Sequence, residues 1–155
     1  VIGEHGELHE FLFGTDRKSL DNYKKILYDF QAGECFYCER LIPKGDENVD
    51  HFIPWSRYPS DLGHNFVLAD NRCNNQKRDR LAAVKYLESW FQRNEGPNNE
   101  LSQEFDARNL LHNIETSRRI AFFAYERAEN HRAQVWMPPR ELTLITSEWR
   151  SLLQI

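Results

Sequence analysis

Between Cys35 and Lys77 the chain gathers metal-ligating and titratable side chains into a stretch too broken for one long helix or a broad sheet. Cys35 and Cys38 form a C-x-x-C pair, Asp50 and His51 are adjacent, and Asn65, Asp70, Cys73, Asn74 and Lys77 follow in order. Pro43, Gly45, Pro54, Pro59 and Gly63 interrupt the run, leaving room for two short extended segments, over 49–53 and 66–68, around a long loop. A helical pattern then opens near Arg72, so that Asn74 and Lys77, three apart, share a face of its first turn.

The flanks read as helices. Ser19 is placed to cap one in which Leu20, Tyr23, Leu27 and Phe30 recur at three-to-four spacing, ending near Gly33. Leu81, Val84, Leu87 and Trp90 continue one face of the helix that starts near Arg72, to about residue 92. Gly96-Pro97-Asn98-Asn99 is the clearest break. Beyond it Leu110, Leu111, Ile114, Ala121, Phe122 and Tyr125 outline a long helix that stops before Pro138-Pro139, and a short helix follows Thr146 or Ser147. The expectation is an α+β chain with a lead and helix over 1–33, a core over 34–95 and a helical extension over 96–155.

With 155 residues, 40% hydrophobic and 28% charged, the chain suits one compact unit with a genuine core. No apolar run nears the roughly 18 residues that a membrane span needs, and no signal peptide opens the sequence, which places it in the cytoplasm. Three cysteines in a reducing compartment read as ligands or packed thiols more readily than as disulfides. A start at Val1 suits a processed chain or an excised domain with a partner elsewhere. The formal charge of −4 argues against a protein that grips many phosphates by itself. Arg72, Lys77, Arg78, Arg80, Lys85 and Arg93, set against Asp79 and Glu88, form a local exception able to dock phosphates.

Residue chemistry narrows the function. Near neutral pH a neutral His51 can take a proton from water. Asp50 and Asn74 offer hard oxygens of the kind that hold a divalent cation, and Lys77, one turn on, can face a phosphate. Neighbours on a regular strand point to opposite faces, so Asp50 and His51 reach one site only if the strand twists there or its partner helix comes close.

The order Asp50-His51, Asn65 ahead of Val67-Leu68, then Cys73-Asn74-x-x-Lys77 is similar to the HNH endonuclease family over roughly residues 34–93. That resemblance implies a ββα-metal core with an adjacent cysteine knuckle and hydrolysis of DNA phosphodiesters, one strand per site. It implies His51 as general base, Asp50 and Asn74 as ligands of one Mg²⁺ or Mn²⁺, and products with 5′-phosphate and 3′-hydroxyl ends. Asn65 would tie down the loop and support the base. Zinc-bearing members use two C-x-x-C pairs. Here Cys35, Cys38 and Cys73 match three positions and Asp70 takes the fourth, so structural Zn²⁺ and three packed, reduced thiols stand as alternatives, with His64 a substitute ligand by proximity alone. Glu39 stands where a small residue is common after such a knuckle.

Arg57 and Arg78 are candidates for phosphate contact, against the plainer reading of solvated arginines. His5 and His9 have the spacing of a metal pair but suit a solvated lead. Trp55, Trp90, Trp136 and Trp149 suit core or interface packing, and Arg118-Arg119 an exposed helix face. Two other readings remain: a zinc-type nucleic-acid-binding module without catalysis, and a protein-interaction domain of an effector complex. A nuclease module recruited or gated by a larger bacterial defence or mobile-element assembly fits the acidic balance as well.

Overall fold

The computed structural model describes residues 17–57, 59, 61–95, 99–138 and 141–153. The His5 and His9 pair, most of the break at 96–99, and Pro139 lie outside them. Helix α1 (Arg17–Phe30) starts two residues before Ser19, which sits inside its first turn instead of capping it. The helix closes with a Schellman turn: the Gly33 amide donates to the Tyr28 carbonyl at 2.9 Å and the Ala32 amide to that of Asp29 at 3.3 Å. Gly33 has φ +74, and a β-carbon there would also lie 3.0 Å from the Tyr28 hydroxyl oxygen. This turn delivers the chain to Cys35.

Strands β1 (Asn48–His51) and β2 (Phe66–Ala69) pair antiparallel, with Asp50 opposite Val67 and His51 opposite Phe66. A 3-10 turn, Gly63–Asn65, leads straight into β2. Helix α2 (Asn71–Lys77) follows and packs back on β1, and α3 (Val84–Asn94) comes next.

The single helix expected over 72–92 is therefore two. Arg78 turns the chain with φ 55. Residues 81–83 then run extended beside Trp136, whose amide donates to the Leu81 carbonyl while its carbonyl accepts from the Ala83 amide, both at 2.8 Å. The Tyr125 hydroxyl donates to the Ala82 carbonyl at 2.6 Å. A partner more than fifty positions away overrides the local helical pattern, as tertiary context commonly does.

Beyond α3 come α4 (Glu100–Ala107), α5 (Ile114–Asn130), a hairpin of β3 (Gln134–Met137) and β4 (Glu141–Leu144), and α6 (Trp149–Leu152). The long helix anticipated from Leu110 begins at Ile114, where the Asn113 side chain accepts from the Thr116 amide at 2.9 Å. The hairpin was not foreseen, because the two prolines read as a simple stop. The short final helix is present. No described helix is long and apolar enough to cross a membrane.

The packing converges on the 3-10 turn. A β-carbon at Gly63 would lie 2.6 Å from the Phe105 ring, so α4 sits flush on the turn. The His64 carbonyl accepts from Trp90 Nε1 and Arg93 Nη2, both at 2.7 Å, which clamps the turn to α3. One buried apolar cluster reaches from Tyr23 to Leu153 and includes Trp90, Trp136 and Trp149. Trp55 is only half-buried.

His64 itself is fully buried, with Nε2 at 2.9 Å from the Ser102 hydroxyl and no partner for Nδ1 among the described residues. Burial pulls its pKa from 6.5 down to about 3. The unfolded chain takes up this proton near pH 6.5 and the folded chain only near 3, so His64's contribution is intact above 6.5 and is lost as pH falls through that window. Urea unfolding at a series of pH values should show that decline, and His64→Gln should flatten it.

Candidate active site and thiol cluster

His51 ends β1 and projects where the loop folds back over it. Its Nε2 lies 2.5 Å from Asp61 Oδ1, and its ring packs edge-on against Phe66 and Trp55 with centroids 5.0 and 5.9 Å away. An ionised carboxylate can only accept, so Nε2 carries the proton and the lone pair of a neutral ring falls on Nδ1. Nδ1 has no hydrogen-bond partner among the described residues, and the side chain is 27% exposed. The imidazole is held at one nitrogen and available at the other.

Asn65 bonds to the loop that follows β1. Its Oδ1 accepts from the Ile53 amide at 2.8 Å and its Nδ2 donates to the Ile53 carbonyl at 2.9 Å. The Phe52 amide donates to the Asn65 carbonyl at 2.8 Å. These bonds extend the β1–β2 pairing past His51 with side-chain atoms and fix the direction in which the loop leaves the strand.

Asp50 points away from His51, toward α2 and the knuckle, as strand alternation requires. It is 8% exposed. Its Oδ2 accepts from the Tyr37 hydroxyl at 2.6 Å and faces Lys77 Nζ at 3.3 Å, while no described residue engages Oδ1. Lys77 departs from the sequence reading. Its side chain is entirely buried, and Nζ donates to the His51 carbonyl at 3.0 Å besides pairing with Asp50. An ammonium so enclosed cannot meet a phosphate from solvent. Burial lowers its pKa, and the Asp50 charge works in the other direction. Asn74, one turn earlier on α2, is half-buried, and its carboxamide has no hydrogen bond among the described residues.

The basic stretch is correspondingly thinner than it read. Lys77 is consumed internally, and the Arg93 guanidinium turns inward to the carbonyls of Phe66 and His64 at 2.8 and 2.7 Å. Arg57 and Arg78 are exposed, the former in the loop after β1 and the latter at the end of α2.

Cys35, Cys38, Asp70 and Cys73 bring one ligand atom each to within 4.8 Å of one another, a Cys₃Asp set able to bind a metal ion. His64 is not among them, being tied to Ser102 elsewhere, which removes it as a substitute ligand. Glu39 takes φ 60 in the knuckle, the left-handed conformation that a small residue adopts at least cost. Asp70 caps α2 by accepting from the Cys73 amide at 2.7 Å, and its other oxygen lies 3.2 Å from Cys38 Sγ. Burial pushes the Asp70 carboxyl up, but the Cys73 amide and the thiols outweigh it and hold its pKa below the ordinary value. The hydrogen bond from Cys73 lowers the Cys35 thiol to about 6 against the opposing effect of burial. A thiolate at Cys35 beside other donors is the chemistry a thiophilic cation requires.

Residues 33–83 match the family model for HNH endonuclease. Over this segment the chain is similar to the HNH endonuclease family. The matched residues include the knuckle, both strands of the first sheet and all of α2, and they contain each side chain of the site described above except Arg93 and Ser102. Two residues of the HNH segment, Tyr37 and Asp61, were missed by sequence reasoning. Tyr37 was hidden inside the cysteine motif, and Asp61 sits in a loop without periodicity, where only the fold brings it ten positions back to His51.

Lys77 and Asp50 are a buried pair, so removing one partner strands a charge. Asp50→Ala should cost about 3–5 kcal/mol of unfolding free energy, and adding Lys77→Met to that variant should restore part of the loss in urea titrations. Mass spectrometry under native conditions should find one tightly held metal ion per chain, lost in Cys35→Ser together with a lower melting temperature.

Proposed function

We propose that the HNH segment hydrolyses DNA phosphodiester bonds, with His51 as general base and Asp61 as the group that orients it. Asp50, through Oδ1, and Asn74 would hold one divalent cation. The donor set suits Mg²⁺ or Mn²⁺, for both residues offer hard oxygens and neither offered oxygen is engaged elsewhere among the described residues. When bound, such a cation neutralises charge that grows on the phosphate and on the leaving oxygen.

The chain's own part is proton handling and positioning. His51 Nδ1 takes a proton from water as the water oxygen attacks phosphorus. The bond from phosphorus to the 3′-oxygen breaks, and that oxygen leaves as a hydroxyl after gaining a proton from solvent. The imidazolium formed on His51 is stabilised by the Asp61 carboxylate on its far side, as in other carboxylate-oriented histidine bases. Lys77 and Tyr37 fix Asp50 from behind. Exposed Arg57 and Arg78 are left for phosphates of the bound strand, replacing Lys77 in that role. Zn²⁺ in the Cys35, Cys38, Asp70 and Cys73 set would be structural, tying the knuckle to the start of α2.

The observation that supports this most is the pairing of His51 with Asp61, since a solvated loop histidine needs no buried carboxylate. One such site cuts one strand. The acidic balance of the chain leaves recruitment to another domain or subunit, which suits a nuclease module of a defence or mobile-element complex.

Plasmid relaxation in Mn²⁺ tests the reading. Native protein should yield nicked circles, and His51→Ala or added EDTA should abolish them, the mutation lowering the rate by about a hundredfold or more. Cutting that survives either treatment contradicts the assignment, as does a native chain that never cuts. Asp61→Asn should retain cutting at a reduced rate with an unchanged melting temperature, which separates a positioning role from a merely structural loss.

A further inference from the structure

A groove of about 530 Å³ runs between the loop that follows β1 and the flank of α5, lined by Ser56, Arg57, Ile120, Phe123, Ala124 and Arg127. Ile120, Phe123, Ala124 and Arg127 stand at i, i+3, i+4 and i+7, so one helix face supplies the whole of that wall. Ile120 is buried, whereas Phe123, on the same face, is 63% exposed. Among the described residues no carboxylate lines the groove. Neither Arg57 nor Arg127 has an ion pair or a side-chain hydrogen bond among the described residues, although Arg118 and Arg150 of the same helical region are both paired with glutamates. Arg127, in the last turn of α5, would gain from the helix dipole in any case. Arg57, on the opposite wall, belongs to no helix, so that explanation does not account for two free cations facing one cleft.

The groove opens beside the candidate active site. Trp55, two residues before Arg57, packs on the His51 ring.

We propose that this groove seats an unpaired stretch of the nucleic-acid strand, its phosphates on Arg57 and Arg127 and one base stacked on Phe123. The proposal rests on the nuclease reading and assigns part of the strand path to α5, outside the HNH segment. In a chain of net charge −4, a cleft with two unpaired cations and no acid is where a polyanion meets least repulsion. An exposed phenyl ring between two arginines gives a base a face to stack on, a contact open to an unpaired base and closed to one inside a duplex.

The full chain carrying His51→Ala allows binding to be followed without cutting, by fluorescence anisotropy with a short oligothymidylate and with a duplex of matching length. On this background Phe123→Ala should weaken single-strand binding about tenfold and leave duplex binding unchanged. Phe123→Trp should keep the affinity and Phe123→Leu should lose it. Arg127→Gln should lower the salt slope of single-strand binding by about one phosphate contact. The proposal is overturned if the parent does not bind the oligothymidylate, or if a Phe123→Ala chain of unchanged melting temperature binds it equally well. It is also overturned if Phe123→Leu binds as well as Phe123→Trp, which would mark an apolar patch for a protein. Plasmid cutting by the chain with His51 intact scores the nuclease reading separately. Cutting with unaltered binding by the groove variants removes the groove alone, and loss of binding in those variants without any cutting removes the nuclease alone.

Discussion

The arrangement turns on a buried ammonium. Lys77 Nζ reaches from α2 to the Asp50 carboxylate and to the carbonyl of His51, so one side chain fastens the helix to the strand that carries both acidic and basic groups. A charge without access to water must be paired, and the pairing dictates the rest. Asp50 has to turn inward, its Oδ2 is committed to Lys77 and Tyr37, and Asn74 is carried to the same neighbourhood one turn earlier on the helix. Such a pair adds little net stability when desolvation is counted, but it leaves few alternative positions for the groups it holds.

The thiol cluster works on the same parts from the other side. Cys35 and Cys38 shape the knuckle that presents Tyr37 to Asp50, while Cys73 lies on α2 and Asp70 caps it. A cation held among them would therefore bear on both the tyrosine behind the carboxylate and the helix that supplies Asn74. The helices of the extension press on the opposite edge, where Phe105 and the donors of α3 lock the turn that contains Asn65. The knuckle, α2 and the extension thus each hold the short β1–β2 hairpin, which on its own would be only marginally stable.

How much of this was legible depended on whether the signal was local. The C-x-x-C pair, Asp50-His51, Asn65 and Asn74 were readable because each stands in a short motif of fixed order, and the two strands and α2 were readable from the turn residues around them. The role of Lys77 was misjudged because spacing gives the face of a helix but not what covers that face. The same limit applies to residues 81–83, whose helical pattern gave way to pairing with Trp136, and to the β3–β4 hairpin, whose prolines looked like a terminus. Asp61 had no sequence signal at all. Its meaning comes from the loop's return to His51, which Asn65 and Ile53 enforce.

The central claim is that Asp50 and Asn74 are held ready to share one cation, with Lys77 fixing the carboxylate. The most direct test is the Mn²⁺ dependence of strand cutting in the native chain, Asp50→Asn and Asn74→Ala. The account predicts that Asn74→Ala shifts the half-activating Mn²⁺ concentration upward by about tenfold or more, by analogy with the 10–100-fold cost of losing groups that support a metal site. Asp50→Asn should shift it further. Activation curves that superimpose on the native one would show that these two residues do not hold the metal.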